Sequence, residues 1–492
     1  MIAVVSAKPL IAVLVSLAVI FVLISARRPN VRETWTFAAA LIKFGIIASM
    51  VPAILAGHTL EFTIAPLFAG VAFKLKVDAF GLLFALVSSF LWIITSAYSI
   101  GYMRGLDEHS QTRYFCFFAA ALSATIGVAF SANLLTLYIF YEMLSLSTYP
   151  LVTHHQDREA RSSGRKYLFY IMGGSIGLVL PAMITIYLIA GNLDFAAGGI
   201  LAGSIGALPA AALLLMLVFG FSKAGIMPVH AWLPAAMVAP TPVSALLHAV
   251  AVVKVGAFSV FRVITEIFGP GMLLNLGFDT LLCIIAAVTI LGSSLIALSQ
   301  DNLKRRLAFS TIGQLSYIIL GAALLTQSGM AGGMLHIAMH AFGKITLFFC
   351  AGAIMVAAGV KNISEMKGLG RQMPVTMAAF FIGALSVIGL PPCGGFISKW
   401  YLAIGTIEAG QFLMLAVLLA SSLLNAAYFL PIVYRAFFCS ADETMFEHRI
   451  QEAPGWCLAP PVATAAISVI LFFYPQPFFD LSQLAVSRIL GG

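Results

Sequence analysis

The sequence predicts an all-α polytopic membrane protein of about fourteen transmembrane helices, and three observations lead to this fold class. The chain has 492 residues, of which 61% are hydrophobic and only 9% are charged. A water-soluble domain carries roughly a quarter of its residues as charges, so lipid rather than water must cover this surface. The other two observations are a series of long apolar segments and an alternation of positive charge between successive connections.

The apolar segments are close in length to the about 20 residues that a helix needs to cross the hydrocarbon core of a bilayer. Arg27, Arg28 and Arg32 follow the first segment, a pattern typical of a retained helix rather than a cleaved signal peptide. The seventh and twelfth segments are long and contain prolines. The predicted spans are residues 9–26, 35–56, 79–103, 114–131, 133–153, 165–190, 208–238, 242–265, 278–299, 305–326, 329–357, 373–408, 411–438 and 458–474.

Positive charge alternates between the connections of these spans. Odd-numbered connections hold seventeen Lys and Arg residues, whereas Lys8, Lys74, Lys76, Arg262 and Arg488 are the five assigned to the opposite face. Because Lys and Arg are enriched in cytoplasmic connections, the bias supports fourteen spans with both termini outside. The expected location is a prokaryotic inner membrane. The seventeen are Arg27, Arg28, Arg32, Arg104, Arg113, Arg158, Arg161, Arg165, Lys166, Lys304, Arg305, Arg306, Lys361, Lys367, Arg371, Arg435 and Arg449.

A few charged residues fall inside the predicted spans. Among the acids, only Glu142 lies well inside a span. Each charge at a helix centre costs about 2.5–3.5 kcal/mol on insertion scales, so such residues are typical of an ion pathway. A buried lysine that can lose and regain its proton suits a proton relay. The lysines within spans are Lys43, Lys223, Lys254, Lys344 and Lys399; Lys43 is interpreted as snorkelling towards a helix end.

Histidines extend this polar row. His336, His340 and Lys344 have i, i+4, i+8 spacing, which places them on one face of a helix over about 12 Å. His248 precedes Lys254 by six residues, so the two need not share a face. The histidine pair could bind a metal, but no carboxylate or cysteine lies nearby to complete a site, and we expect none. His230, His154 and His155 lie at helix breaks or in loops, and for them a structural role at a helix end is at least as reasonable as a role in the relay.

The two interrupted spans provide a further signal. Pro228 follows Lys223 by five residues, and the pair Pro391 and Pro392 precedes Lys399. A proline inside a helix removes a backbone hydrogen bond, and broken helices in corresponding positions of two halves indicate an ion site near the membrane midplane. We therefore predict helices 1–3 in residues 1–110, five-helix repeats in residues 111–266 and 275–440, and a last helix with a tail in residues 441–492.

These residues resemble the antiporter-like membrane subunits of respiratory complex I, group 4 hydrogenases and Mrp-type cation/proton antiporters. The matching segments are residues 223–234, 239–248, 253–256, 301–306 and 389–399, together with Glu142 and the stripe from His336 to Lys344. Lysine at position 399 favours a resemblance to the D-type subunits of Mrp antiporters. The resemblance implies two inverted five-helix repeats and a role as a proton-translocating subunit with other membrane subunits as partners.

The resemblance also implies a role for each residue of the row. It pairs Glu142 with Lys223, makes Lys254 the connecting lysine and places Lys399 at the exit side. It makes His248, His336 and His340 relays, with Lys344 on the same stripe. The coupling stays open between a redox arm and exchange of sodium or potassium for protons.

Other function classes are distinguishable by experiment. The six cysteines form no CxxC pair, and no nucleotide, flavin, haem or iron–sulfur motif is present, so we expect no cofactor in this chain, no redox chemistry of its own and no nucleic-acid partner. One alternative is a stand-alone secondary transporter of another solute, which would be active alone in liposomes. A structural scaffold would tolerate replacement of every buried lysine.

Overall fold

The computed structural model describes residues 2–439 and 450–491, and within these it does not describe the side chains of residues 247–249. Arg449, one of the seventeen basic residues counted above, therefore lies outside the described residues, and so does the side chain of His248. The described chain is mostly helical, and we number its α-helices in chain order.

Helices of the first half begin close to the predicted segment boundaries. Asp78 caps the N-terminus of α4 and Asn133 that of α6, because each side chain accepts a hydrogen bond from the third backbone N–H that follows. The helices are α1 Lys8–Ser25, α2 Pro29–Ala48, α3 Val51–Leu55, α4 Ala79–Gly105, α5 Gln111–Ala129, α6 Leu134–Val152, α7 Arg158–Gly174, α8 Leu180–Ala190, α9 Ala207–Gly220, α10 Trp232–Ala235, α11 Thr241–Val243, α12 Val252–Arg262 and α13 Pro270–Asn275. π-Helical turns at Ser175–Val179, Ser244–Ala251 and Val263–Phe268 join or extend some of them.

Helices of the second half are longer and less interrupted. They are α14 Phe278–Ser299, α15 Leu303–Ala323, α16 Gln327–Ala358, α17 Leu369–Gln372, α18 Pro374–Ile388, α19 Gly395–Glu408, α20 Phe412–Phe438, α21 Gly455–Phe473 and α22 Gln476–Leu490. Helix α16 has 32 residues and is buried without a break from Gly329 to Ile354. It packs against α15, α18, α19 and α21, so its polar stripe lies in the interior of the bundle.

All fourteen predicted segments coincide with helical residues, and the seventh and twelfth are interrupted as predicted. Within the described residues, nine helices are long and apolar enough to cross a membrane, and α9 and α18 are shorter apolar helices. The count of fourteen spans stays a prediction. Many large apolar side chains at the surface are exposed, including Phe169, Leu188 and Leu423, which suits contact with lipid. The chain is an integral membrane protein.

A small sheet was not predicted from the sequence. Its strands are β1 (Ile2–Val5), β2 (His58–Phe68) and β3 (Val71–Val77); β1 is parallel to β2, and β2 is antiparallel to β3. Leu60 pairs with both Val4 and Val77 across the sheet. Strand β3 leads directly into the N-terminus of α4, whereas Arg104 and the connection that follows lie at the opposite end of this helix. We call the end with the sheet the strand face and the end with the Arg-rich connections the basic face.

Candidate functional site

The interruption of the first broken helix carries a lysine. Helix α9 ends at Gly220, and a short 3₁₀ turn from Ser222 to Ala224 carries Lys223. Gly225 then takes a left-handed conformation with φ of 69°, which glycine adopts without strain. Pro228 lies inside the interruption, but the helix ends eight residues before it, so Pro228 extends the break rather than starting it. The indole N–H of Trp232 donates to the freed carbonyl of Ser222 over 2.9 Å.

Lys223 is fully buried and is held by helix α6. Its Nζ donates to the backbone carbonyl of Tyr141 over 2.9 Å and to Ser145 Oγ over 2.6 Å. The same nitrogen lies 3.2 Å from the centroid of the Tyr141 ring, so the ring and the two oxygens favour a positive amine. The backbone N–H of Lys223 donates to Tyr141 Oη, which ties the broken turn to α6.

Glu142 is the next residue of α6. Both of its carboxylate oxygens are buried and make no hydrogen bond, and it forms no ion pair with Lys223. A buried carboxylate without a partner is costly, so this oxygen pair is a place where water or a proton would be stabilised. The predicted pair of Glu142 and Lys223 is therefore adjacent along the α6 surface but not in direct contact.

Helix α12 packs against this break through Gly256. A Cβ atom at Gly256 would lie 2.0 Å from the backbone nitrogen of Ala224 and 2.2 Å from the carbonyl carbon of Lys223. No side chain fits at such distances, so glycine here allows the backbone of α12 to touch the 3₁₀ turn. This contact brings Lys254, two residues earlier on α12, into the interior next to the break.

Lys254 connects the first half of the chain to α16. Its Nζ lies 2.6 Å from His340 Nδ1, and the His336 and His340 ring centroids are 5.6 Å apart. His336 Nε2 lies 3.0 Å from Gln314 Oε1, and His336 Nδ1 lies 2.8 Å from Ser398 Oγ, one residue before Lys399. The structure therefore brings Lys254, both histidines and the start of α19 into one polar row. The other nitrogen of His340, Nε2, is buried without a hydrogen bond.

Lys344 continues the stripe on α16 but has its own partners. Its Nζ donates to Ser310 Oγ over 2.7 Å, and Tyr428 Oη donates to the same oxygen over 2.9 Å. Tyr428 Oη is also within hydrogen-bond distance of the amide oxygen of Asn425, so its single proton can be donated to either Ser310 Oγ or this oxygen. Neither Ser310 nor Tyr428 was predicted as a partner, because they lie on α15 and α20, far along the chain from Lys344.

The interruption of the second broken helix is shorter than that of the first. Helix α18 ends at Ile388 and α19 begins at Gly395, and Pro391 and Pro392 lie between them as predicted. Lys399 Nζ donates to the carbonyls of Val387 and Ile388, each over 2.9 Å, and so caps the C-terminus of the first half-helix. A positive charge at this end also complements the helix dipole. Its third partner is Ser422 Oγ at 3.3 Å.

The snorkelling interpretation of Lys43 is wrong. Its side chain is fully buried, and its Nζ donates to Ser16 Oγ over 2.5 Å and to the carbonyl of Leu122 over 3.4 Å. The nitrogen also lies 5.4 Å from the centroid of the Trp92 ring. Helices α1 and α5 pack on either side of the α2 face that carries Lys43, and they close the route to the helix end. No contact joins Lys43 to the row on α16 among the described residues.

An ionic cluster near the strand face was also missed. Arg262 was counted among the five basic residues of the opposite face, but it is buried and donates from both terminal nitrogens to Asp78, over 2.6 and 2.7 Å. It also donates to Glu266 over 2.7 Å, and Arg488 Nη1 lies 3.3 Å from Asp78. Glu142 is thus not the only buried acid. The i, i+4 spacing of Arg262 and Glu266 was a readable signal, whereas Asp78 lies 184 residues away.

The electrostatic consequence appears at Asp78, which lies just outside helix α4. Burial alone would raise the pKa of this carboxyl, but the charge and hydrogen bonds of Arg262 outweigh burial, and the net pKa is lowered. Asp78 therefore stays ionised, and Arg262 stays paired with it.

The basic face carries a cavity of about 860 Å³. Its lining includes Glu108, His155, Asp157, Lys304 and Thr241. Lys304 Nζ donates to the carbonyl of Ala239 over 2.6 Å, next to the turn that leads to the helix bearing Lys254. The cavity therefore reaches from the solvent at the basic face to the connection between the broken seventh span and the eighth.

His154 lies beside this cavity, in the connection between α6 and α7. Its ring is fully buried and stacks on His109 at a centroid distance of 4.8 Å. Burial lowers the pKa of His154 to about 4, and the neighbouring His109, His155 and Arg113 contribute to this decrease. The ring is therefore neutral near pH 7.

Comparison with known proteins decides the family. A family model described as NADH:quinone oxidoreductase/Mrp antiporter, transmembrane, matches residues 131–425, which include both broken helices and the whole row on α16. The chain belongs to this family. The sequences of several antiporter-like proteins can be aligned with most of this chain.

Three relatives illustrate the range of the family. The N subunit of the NADH-quinone oxidoreductase of Desulforudis audaxviator is 35% identical over 364 residues, which cover 71% of this chain and 70% of the relative. Hydrogenase-4 component B of Escherichia coli is 32% identical over 85% of this chain, and the match spans 64% of that relative's length. The D-type subunit of the Na⁺/H⁺ antiporter of Alkalihalophilus pseudofirmus is 29% identical over 85% of this chain and 83% of the relative.

Two solved structures share the antiporter-like fold. The Mrp complex from a Dietzia species contains a chain that matches with a TM-score of 0.87 at 22% identity, over 98% of this chain and 97% of that chain. The membrane-bound sulfane sulfur reductase, an archaeal respiratory membrane complex, contains one that matches with a TM-score of 0.86 at 24% identity, over 98% and 96%. At these identities the likeness shows the fold alone.

Proposed function

We propose that this antiporter-like chain is a proton-translocating subunit of a multisubunit membrane complex. The observation that carries the proposal is the buried row of amines and imidazoles, whose partners are hydroxyls, carbonyls and one another. Each such group can gain or lose a proton without breaking an ion pair. Subunits of NADH:quinone oxidoreductases, hydrogenases and Mrp antiporters are among the relatives, which supports partners in the membrane.

The proposed path begins at the basic face, which we assign to the cytoplasm of a prokaryotic inner membrane because of its Lys and Arg. Both termini would then lie outside. Protons would enter through the cavity of about 860 Å³, past Lys304 and the helix that bears His248. Lys223 lies near Glu142, and a change in the distance between these two side chains would change the proton affinity of the lysine.

Beyond the first break, the proton would pass along α16. Lys254 and His340 are in hydrogen-bond contact, and His336 links them to the start of α19. Lys344 would serve as a branch with Ser310 and Tyr428, and Lys399 as the group on the exit side. Water molecules would bridge the positions along this row that are not in direct contact.

The same geometry supports the proposed division of the chain. Residues 111–266 and 275–440 each contain one interrupted helix with a buried lysine, and we assign them as two inverted five-helix repeats. Residues 1–110 and 441–492 would flank them. The driving reaction belongs to the partner subunits and is either a redox reaction or exchange of sodium or potassium for protons.

The test is proton transport by the assembled complex in proteoliposomes. We expect Lys223→Ala and Glu142→Gln to lower proton transport at least about tenfold, because each removes a group that transfers or tunes the proton. Lys43→Met is the matched control, since Lys43 is equally buried but lies outside the row. Wild-type transport in Lys223→Ala would contradict the relay, and transport by the isolated chain alone would favour the stand-alone transporter.

A further inference from the structure

A second cavity at the basic face lies between α7 and α15. Its volume is about 250 Å³, and α10, which packs against both of these helices, forms part of its wall. Lys166 of α7 and Arg305 of α15 line it, together with Gln300 at the end of α14. The proposed proton path assigns no role to Lys166 or Arg305.

The two basic side chains of this cavity have no acidic partner. Among the described residues, neither Lys166 nor Arg305 forms an ion pair or a side-chain hydrogen bond, and no carboxylate lines the cavity. The neighbouring Arg306 differs, because it donates to the carbonyls of Leu298 and Gln300 at the end of α14. Two positive charges that line one cavity without a counter-charge attract an anion.

Apolar side chains continue both walls towards the membrane interior. Helices α7 and α15 each begin at the basic face and run inward. Phe169 is 76% exposed and follows Lys166 by three residues, so it lies about 4.5 Å further along α7. Phe309 follows Arg305 by about one turn of α15 and lines the cavity. Positive charge at the basic face therefore adjoins an apolar border deeper in the membrane.

We propose that this cavity binds the headgroup of an anionic phospholipid from the leaflet at the basic face. The phosphate would lie between the Lys166 amine and the Arg305 guanidinium, whose planar fork suits two parallel hydrogen bonds to phosphate oxygens. The acyl chains would lie along the exposed Phe169. Basic pockets between membrane helices are general binding sites for anionic headgroups. The apolar border favours a phospholipid over a soluble phosphate.

The bound lipid would connect two parts of the chain. Lys166 lies in the first predicted repeat and Arg305 in the second, so one headgroup would hold α7 and α15 together at the basic face. Both side chains also line the cavity of about 860 Å³. The lipid would therefore lie next to the proposed proton entrance, and its binding can be measured without proton transport.

The experiment is native mass spectrometry of the purified full-length chain, titrated in detergent with phosphatidylglycerol. Phosphatidylcholine with the same acyl chains is the neutral comparison, and glycerol phosphate is the soluble source of the same phosphate. We expect one phosphatidylglycerol per chain to bind at least about tenfold more tightly than phosphatidylcholine. The double variant Lys166→Gln with Arg305→Gln should lower this affinity at least about tenfold and leave phosphatidylcholine binding unchanged, since each cation near the membrane surface strengthens the attraction to anionic lipid.

The matched control is the double variant Arg161→Gln with Arg371→Gln. It removes the same charge from exposed positions of the basic face that do not line the cavity, so the affinity for phosphatidylglycerol should stay at the wild-type value. Thermal denaturation without added lipid shows that each variant is folded. Equal wild-type affinity for the two lipids, an equal change in the two double variants, or binding of glycerol phosphate as tightly as phosphatidylglycerol would overturn the proposal.

Discussion

Two buried charged regions of this molecule are built on opposite principles. In the ionic cluster near the strand face, Arg262 is paired with Asp78 and Glu266 over 2.6–2.8 Å, and Arg488 adds a further contact. The row through the interior contains four lysines that have no carboxylate of the described residues within ion-pair distance. Hydroxyls, carbonyls and an imidazole hold these amines instead. The four are Lys223, Lys254, Lys344 and Lys399.

We expect the ionic cluster to stabilise the fold and, under the proposed function, the row of lysines to carry protons. A guanidinium keeps its charge at physiological pH, and here its ionised partners are also hydrogen-bonded to it. An amine held by neutral oxygens has no ion pair to break, so under the proposed function it can exchange a proton without the loss of an ionic partner. Loss of a charge should therefore destabilise the cluster more than the row.

The largest effect should follow from Arg262→Met. The substitution leaves Asp78 and Glu266 buried with Arg488 as their remaining cation, and breaking such a pair costs about 3–5 kcal/mol. Thermal denaturation of the detergent-solubilised chain measures the loss. Arg161→Met is the control, because Arg161 is exposed on the basic face. Equal denaturation midpoints for the two variants would mean that the cluster contributes nothing to stability.

Asp78 gives the same cluster a pH dependence. Its pKa is lowered in the folded chain, mainly by Arg262, so its contribution to stability is complete above the unfolded pKa of about 4. As the pH falls through that value towards the lower folded pKa, the contribution is lost. We expect the denaturation midpoint of the wild type to fall more steeply below about pH 4 than that of Asp78→Asn; parallel curves would rule this out.

A smaller loss of stability is expected for Lys399→Met, and it should exceed that of Lys223→Met. Lys399 caps the carbonyls of Val387 and Ile388 at a helix end, and its removal leaves both without this donor, at a cost of about 2 kcal/mol. The Tyr141 carbonyl bound by Lys223 still accepts a hydrogen bond from Ser145 Oγ. Denaturation midpoints compare the two variants, and proton transport should fall in both. If Lys223→Met were the less stable variant, Lys223 rather than Lys399 would contribute more to the stability of the fold.

Gly256→Ala should cost about 1–3 kcal/mol by overpacking. The new Cβ would lie 2.0 Å from the backbone of Ala224, which cannot move aside as a flexible side chain would. The matched control is Gly45→Ala on α2, where nothing lies within 4 Å of the new atom. Gly45→Ala should be neutral or slightly stabilising. If both variants had the wild-type denaturation midpoint and transport rate, the close contact of α12 with the first break would be required for neither stability nor transport.

The smallest effect is expected for Ser145→Ala. It removes one hydrogen bond to Lys223 and should lower the free energy of unfolding by about 1 kcal/mol. Transport should decrease less than in Lys223→Ala because the amine remains. Ser422→Ala at the second break should change still less, since the 3.3 Å contact to Lys399 is longer and two carbonyls hold that amine. Transport rates in proteoliposomes rank the three variants, and a reversed order would show that the hydroxyls do not act through the lysines.

Particular residues show how far the site could be predicted from the sequence. The i, i+4, i+8 spacing of His336, His340 and Lys344 placed them on one helix face, because helical periodicity is local. The contact of Lys254 with His340 spans 86 residues, and no periodicity contains it. Lys43 and Arg262 were misjudged for the same reason: the helices that bury them lie elsewhere in the chain.

Hydropathy, proline positions and motifs were sufficient to predict an antiporter-like membrane protein with two interrupted helices and buried lysines, since each of these signals is read from neighbouring residues. The partners of the buried charges were not predictable in this way. Packing of distant helices determines which amines are paired with carboxylates and which are held by neutral groups. It also brings the histidines of two separate connections together, because side-chain partners in a helical bundle depend on which helices become neighbours in the folded chain.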